Sequence, residues 1–199
     1  FRITDRPLML GRLTDLIRGL DRRSDGYSRA LQAARVRASY QRAYFAPALF
    51  NLIPVRTELI ASMAVDSRWR LYYNDSWVAS HTVEENAAVL IHEISHLLRE
   101  HEARKQAADV RNESLWNTPA DCEINDDLIA ENLPLPDDPP RPEKYGLKAG
   151  ENAETYYRQL LGPRQSSQTD RGSETPQPSP TLAHDCGSGA HGEWRPWEL

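Results

Sequence analysis

The chain has 199 residues, of which 39% are apolar and 27% charged, with a formal net charge of −5. That length fits one domain or at most two, with enough chain to bury a core, and no apolar run reaches the roughly 18–20 residues of a membrane helix. Two cysteines, Cys122 and Cys186, exclude a disulfide framework and fit a cytoplasmic protein. The chain starts at Phe1 without a charged-then-apolar leader and ends at Leu199 without a natural stop, which reads as a fragment of something longer.

The charge is uneven. Residues 1–50 hold ten Arg against four acids, and residues 51–199 hold 14 basic against 25 acidic residues. A basic start can serve nucleic acid, but no aromatic stacking platform or groove-reading motif accompanies it. The Arg side chains are read as the solvated face of two helices.

The first helix is capped at Thr4 or Asp5, with Pro7 in its first turn, and carries Leu13, Leu16, Ile17 and Leu20 on one face. A second places Tyr27, Leu31, Ala34 and Ala38 on one stripe and stops before Pro47. Pro54 and Val55 open a strand. Leu59–Val65, a turn at Asp66–Ser67, and the alternation of Trp69, Leu71 and Tyr73 with Arg68, Arg70 and Tyr72 then predict a β-hairpin.

Thr82-Val83-Glu84-Glu85 is a capping box. It opens a long helix over about 83–108 that buries Val83, Ala87, Leu90, Ile91, Ile94, Leu97 and Leu98. Thr118 as cap and Pro119 in the first turn start another helix, running to about Asn132. Five prolines between Leu133 and Pro142 make an extended loop, and Ala153–Leu161 reads as a last short helix. Residues 1–161 therefore form the domain, with 1–46 its helical N-terminal part. Residues 162–183, rich in Pro, Ser and Gln, are a linker, and 184–199 form a tail with Cys, His, Gly and Trp.

The sharpest signal is His92-Glu93-Ile94-Ser95-His96. Four residues of helix turn through about 400°, so both imidazoles share a face about 6 Å apart. That is the bite a zinc ion takes from two nitrogen ligands. Glu93, about 100° around the helix, can stand beside the open metal position as a general base for a zinc-bound water.

A catalytic zinc needs a third protein ligand. His101 lies nine residues from His92, about 900° on, which is the opposite face, and no Gly or Pro between Leu97 and Glu100 offers a sharp turn. His101 is expected at the surface or behind a ligand. On the following helix Asp121, Ile124, Asn125 and Leu128 share the inward stripe. Glu123, about 200° from Asp121, cannot face the same ion. Asp121 is the expected third ligand, with Asn125 steadying it or a ligand imidazole. The competing reading of Asp121 is a capping box with Thr118.

HEISHLLREH, Leu115-Trp116-Asn117 and Ala120-Asp121-Cys122-Glu123-Ile124-Asn125 together resemble a bacterial metallopeptidase domain. That domain lies N-terminal to von Willebrand A-like domains, and is often encoded beside MoxR-type AAA ATPases. Pro47-Ala48-Leu49-Phe50, Met63-Ala64-Val65-Asp66, Tyr72-Tyr73-Asn74 and Asp185-Cys186-Gly187-Ser188-Gly189 extend the resemblance over roughly residues 40–190. It implies an α+β, zincin-like fold, mostly helical, with a small twisted sheet packed on the HExxH helix. It also implies Zn2+ and hydrolase chemistry on a peptide or protein. The expected function is thus a zinc metallopeptidase with His92, His96 and Asp121 on the metal and Glu93 as base. Tyr72, Tyr73 or His101 would be the donor to the oxyanion. The alternative is a metal-binding interaction module working with the ATPase. The tail with His184, Cys186 and His191 is expected to be flexible or else to pack Trp194 and Trp197 on the domain; a third reading lets Cys186 or a tail His close the zinc's open position. A Cys122–Cys186 disulfide is disfavoured in the cytosol.

Overall fold

The computed structural model describes residues 28–108, 110 and 113–162. The expected first helix, the linker after Gly162 and the tail with His184, Cys186 and His191 lie outside them. The described chain is α+β and mostly helical, with one small sheet. Among the described residues no helix is long and apolar enough to cross a membrane.

Helix α1 spans Arg29–Gln41, capped by the Ser28 side chain, and buries Leu31, Ala34 and Ala38 as their spacing demands. A 3-10 turn, Ala43–Phe45, leads into α2, Ala46–Asn51, with Pro47 in its first turn. Three strands follow: β1 Ile53–Arg56, β2 Met63–Val65 and β3 Arg70–Tyr73. Their order is β1-β3-β2. β2 and β3 form the expected hairpin, in the register Met63↔Tyr73, Ala64↔Tyr72, Val65↔Leu71. β1 joins it in parallel, with Ile53 opposite Arg70.

The alternation on β3 does not divide buried from solvated positions. Arg70 is 2% exposed, because the turn turns Asp66 inward. Asp66 accepts from the Arg68 and Arg70 amides, the Arg70 guanidinium and the Tyr72 hydroxyl. Trp69 adopts a left-handed φ of 61° to close that turn.

A short helix absent from the sequence reading, α3 Asp75–Ser80, is capped by Asn74. Then α4, Val83–Leu98, opens on both halves of the Thr82–Glu85 capping box. It lies along α1 and β2 and is buried nearly all round from Asn86 to His96. Asn86 ties its start to α3, its amide donating to the carbonyls of Val78, His81 and Thr82. The single helix expected to 108 is broken. Glu100 takes a left-handed conformation (φ 54°, ψ 39°), and α5, His101–Ala107, sets off in a new direction. Leu98, expected inside, is 46% exposed at this end.

Helix α6 begins at Glu113 and runs to Ala130, so Pro119 lies inside it and Thr118 is not its cap. A proline inside a helix costs about 3 kcal/mol. Its compensation is that Trp116 and Ala120 are buried against Ala153 and Tyr157. The capping-box reading of Asp121 lapses with the earlier start. The proline loop leads to a 3-10 turn at Pro142–Tyr145, and α7, Ala153–Leu161, packs on α6.

Candidate metal centre

The centre lies where α6 crosses α4. The i, i+4 spacing puts the His92 and His96 rings edge to face, with their Nε2 atoms 3.0 Å apart. Asp121 enters from α6, its Oδ1 3.3 Å from Nε2 of His96 and 3.7 Å from Nε2 of His92. Two nitrogen or oxygen ligands held tetrahedrally at zinc bonding distance are roughly 3.3 Å apart. The three observed separations bracket that value. Among the described residues these are the His, Cys, Asp and Glu side chains whose ligand atoms converge, all within 4.8 Å of one another. Ile124, Asn125 and Leu128 are buried beside Asp121, as their shared stripe requires.

The far nitrogens are engaged as well. His92 Nδ1 lies 2.8 Å from Oδ1 of Asn125. The Asn125 amide nitrogen donates to the Pro140 carbonyl at 2.8 Å, which fixes which end of the amide faces the imidazole. His92 therefore carries its Nδ1 proton toward Asn125 and turns Nε2 to the metal position.

Burial works against an ionised Asp121, yet hydrogen bonds and charge from His92 and His96 hold its carboxyl well below the usual range. Burial also opposes charge on both imidazoles. In His96 it prevails and lowers the pKa to about 4. In His92 the hydrogen bond and charge of Asp121 prevail and the pKa is raised. The Asp121 carboxylate thus favours charge on the imidazole pair, while burial and the proximity of the two rings oppose it.

A cleft with about 80 Å³ of open space reaches the centre. His92, Glu93, Asp121 and Asn125 form its floor, and Trp77, Val89, Leu135 and Pro140 are among its walls. Glu93 is 2% exposed and borders the same space as His92 and Asp121. Trp77 is held by stacking on His81, centroids 4.0 Å apart.

Residues 26–198 match a family described as "Putative metallopeptidase domain". The chain belongs to that family. No curated protein and no solved structure matches the chain. As a member of this metallopeptidase-domain family it carries a buried His-His-Asp group able to hold a metal.

His101 stands behind His96, the second of the two places expected for it, and not at the surface. The turn at Glu100, formed without Gly or Pro, carries it to the far side of His96, fully buried, Nδ1 to Nδ1 at 2.9 Å. The three expected oxyanion donors all lie away from the cleft. Tyr72 donates its hydroxyl to Asp66, Tyr73 is buried with its hydroxyl near the Ser28 backbone, and His101 sits behind His96. Sequence spacing also missed Glu123 as an anchor. Its carboxylate gathers Arg99 from just past the end of α4, Arg104 from α5 and the Ala153 amide from α7. Contacts that span 19 to 30 residues leave no local periodicity by which to find them.

Proposed function

We propose that the protein is a zinc-dependent peptidase with a zincin-like site, in which His92, His96 and Asp121 hold the metal and Glu93 is the general base. The observation that carries this reading is the convergence of two Nε2 atoms and one carboxylate oxygen at tetrahedral spacing, with Glu93 lining the cleft that reaches them. Two neutral nitrogens and one carboxylate are a donor set suited to catalytic zinc, leaving a fourth position for water or substrate. When bound, zinc would lower the pKa of its water to about 7 and polarise a substrate carbonyl.

The chain's own residues do the rest. Asn125 keeps the His92 lone pair at Nε2. Glu93, an acceptor at the cleft floor, takes a proton from the attacking water and returns it to the leaving amine. The walls narrow the approach and exclude bulk water from the floor. A peptide or protein substrate fits the family description. A MoxR-type AAA ATPase and a von Willebrand A-like domain as partners, and a cytoplasmic setting, rest on the sequence resemblance and the sparse cysteines.

The test is Glu93→Gln, which keeps shape and removes the basic carboxylate. Zinc content should be unchanged while hydrolysis of a mixed peptide library falls about 10²- to 10⁴-fold, the usual worth of a general base. Wild-type protein that cleaves nothing at full zinc occupancy would replace this reading with the interaction module.

A further inference from the structure

His96 has two ring nitrogens, and Nε2 faces Asp121. The other, Nδ1, meets His101 Nδ1 at 2.9 Å, the rings 5.0 Å apart and inclined at 73°. His101 is fully buried, and its Nε2 lies 3.6 Å from Oε1 of Glu123. Glu123 is itself clamped. Arg104 donates to both its oxygens at 3.0 and 2.8 Å, Arg99 donates at 3.2 Å and the Ala153 amide at 2.6 Å. The array runs from the metal position through two imidazoles to a carboxylate set between two guanidinium groups.

A hydrogen bond between two imidazole nitrogens holds one proton, so one ring donates and the other accepts. A nitrogen that binds metal keeps its lone pair, so a ligating His96 carries its proton on Nδ1 and donates it. His101 then accepts at Nδ1 and carries its own proton on Nε2, the side of the Glu123 carboxylate.

We propose that His101 is a positioning residue of the metal centre: it accepts the Nδ1 proton of His96 and so holds Nε2 toward the metal, with the charge of the Glu123 carboxylate, 3.6 Å from His101 Nε2, favouring the matching tautomer. The inference rests on the metal reading of His92, His96 and Asp121. It gives the two ligand histidines equivalent supports on opposite sides, Asn125 behind His92 and His101 behind His96. It also accounts for the left-handed Glu100, since a continuous helix would carry His101 to the opposite face. A side chain that only filled space beside Trp116, 6.5 Å away ring to ring, would have no use for an acceptor aimed at His96.

Two variants separate acceptor from filler. His101→Leu fills the space without an acceptor. His101→Asn puts an oxygen at the position of Nδ1, the arrangement Asn125 already uses on His92. Zinc affinity of the full chain is measured by chelator competition, and the ring-nitrogen chemical shifts of the zinc-loaded wild type report the tautomers. His101→Leu should bind zinc about 10- to 100-fold more weakly, and His101→Asn should recover to within about 3-fold of wild type. The wild-type spectrum should place the His96 proton on Nδ1 and the His101 proton on Nε2. Equal affinity for Leu and wild type, or an Asn variant as weak as Leu, overturns the proposal. Should neither variant fold, the spectrum decides alone, and a His96 proton on Nε2 overturns it. Wild type that takes no zinc at all would instead remove the metal reading, and this inference with it.

Discussion

Replacing Asn125 by Leu removes a side chain that joins His92 to the Pro140 wall of the cleft. Asn125 is 1% exposed and makes two bonds, from His92 Nδ1 to its oxygen at 2.8 Å and from its amide to Pro140 at 2.8 Å. Leucine has the same branching and number of heavy atoms and is somewhat bulkier, so the substitution leaves no cavity and exposes the polar cost. Each buried group left without its partner costs about 1–3 kcal/mol. The Pro140 carbonyl borders the cleft and can regain water, whereas the His92 N–H is buried, so the sum falls near 2–4 kcal/mol. For a domain of this size that is a drop in Tm of roughly 5–15 °C. It is measured on metal-free protein so that zinc does not mask it. Zinc affinity should fall about 10- to 100-fold in addition, because His92 is free to present the wrong tautomer. Asn125→Asp restores an acceptor for His92 but not the donor for Pro140, so it should recover zinc affinity and not Tm. A leucine variant with wild-type Tm and wild-type zinc affinity would refute the reasoning.

Asp121→Ala should weaken zinc binding more than His101→Leu does, since it removes a ligand rather than a support; chelator competition ranks the two, and the reverse order contradicts the assigned geometry. Asp66→Ala leaves the Arg70 guanidinium buried without its carboxylate partner 2.5 Å away, a loss expected to cost about 3–5 kcal/mol; denaturant unfolding with a change under about 1 kcal/mol would contradict it. Burial alone would raise the Glu123 carboxyl, but the nearby His101 ring and hydrogen bonds from Arg104 and the Ala153 amide hold it well below the ordinary carboxyl value. A carboxyl depressed in the folded state stabilises above its unfolded pKa and loses that contribution as pH falls through the folded value. Arg104→Leu should therefore move acid unfolding of the metal-free protein to higher pH, followed by circular dichroism; an unmoved midpoint is the contrary result.

The sequence was most legible where one helix turn carries the information. The capping box at Thr82, the His92–His96 pair and the stripe Asp121, Ile124, Asn125, Leu128 all follow from 3.6-residue periodicity, and each side chain stands where that geometry puts it. The hairpin followed from alternation, but Arg70 did not, because a buried partner from the turn overrode its polarity. The break after Leu98 was illegible for a physical reason. A left-handed residue is usually glycine or asparagine, and here it is Glu100, so no residue type announced it. The start of α6 was misread for the opposite reason. Thr118-Pro119 is a strong start signal, and tertiary burial of Trp116 and Ala120 prevailed over it. His101 and Glu123 acquire their roles through that break and through contacts between distant helices, which no local pattern encodes.

The central claim is that His92, His96 and Asp121 hold a metal ion, and metal content tests it most directly. Protein purified without added metal, then loaded with zinc and freed of excess, should carry one zinc per chain by elemental analysis. His92→Ala and His96→Ala should each lose it while retaining the helical circular dichroism of the wild type. Wild-type protein that is folded and still carries less than about a tenth of an equivalent of zinc after loading would contradict the account.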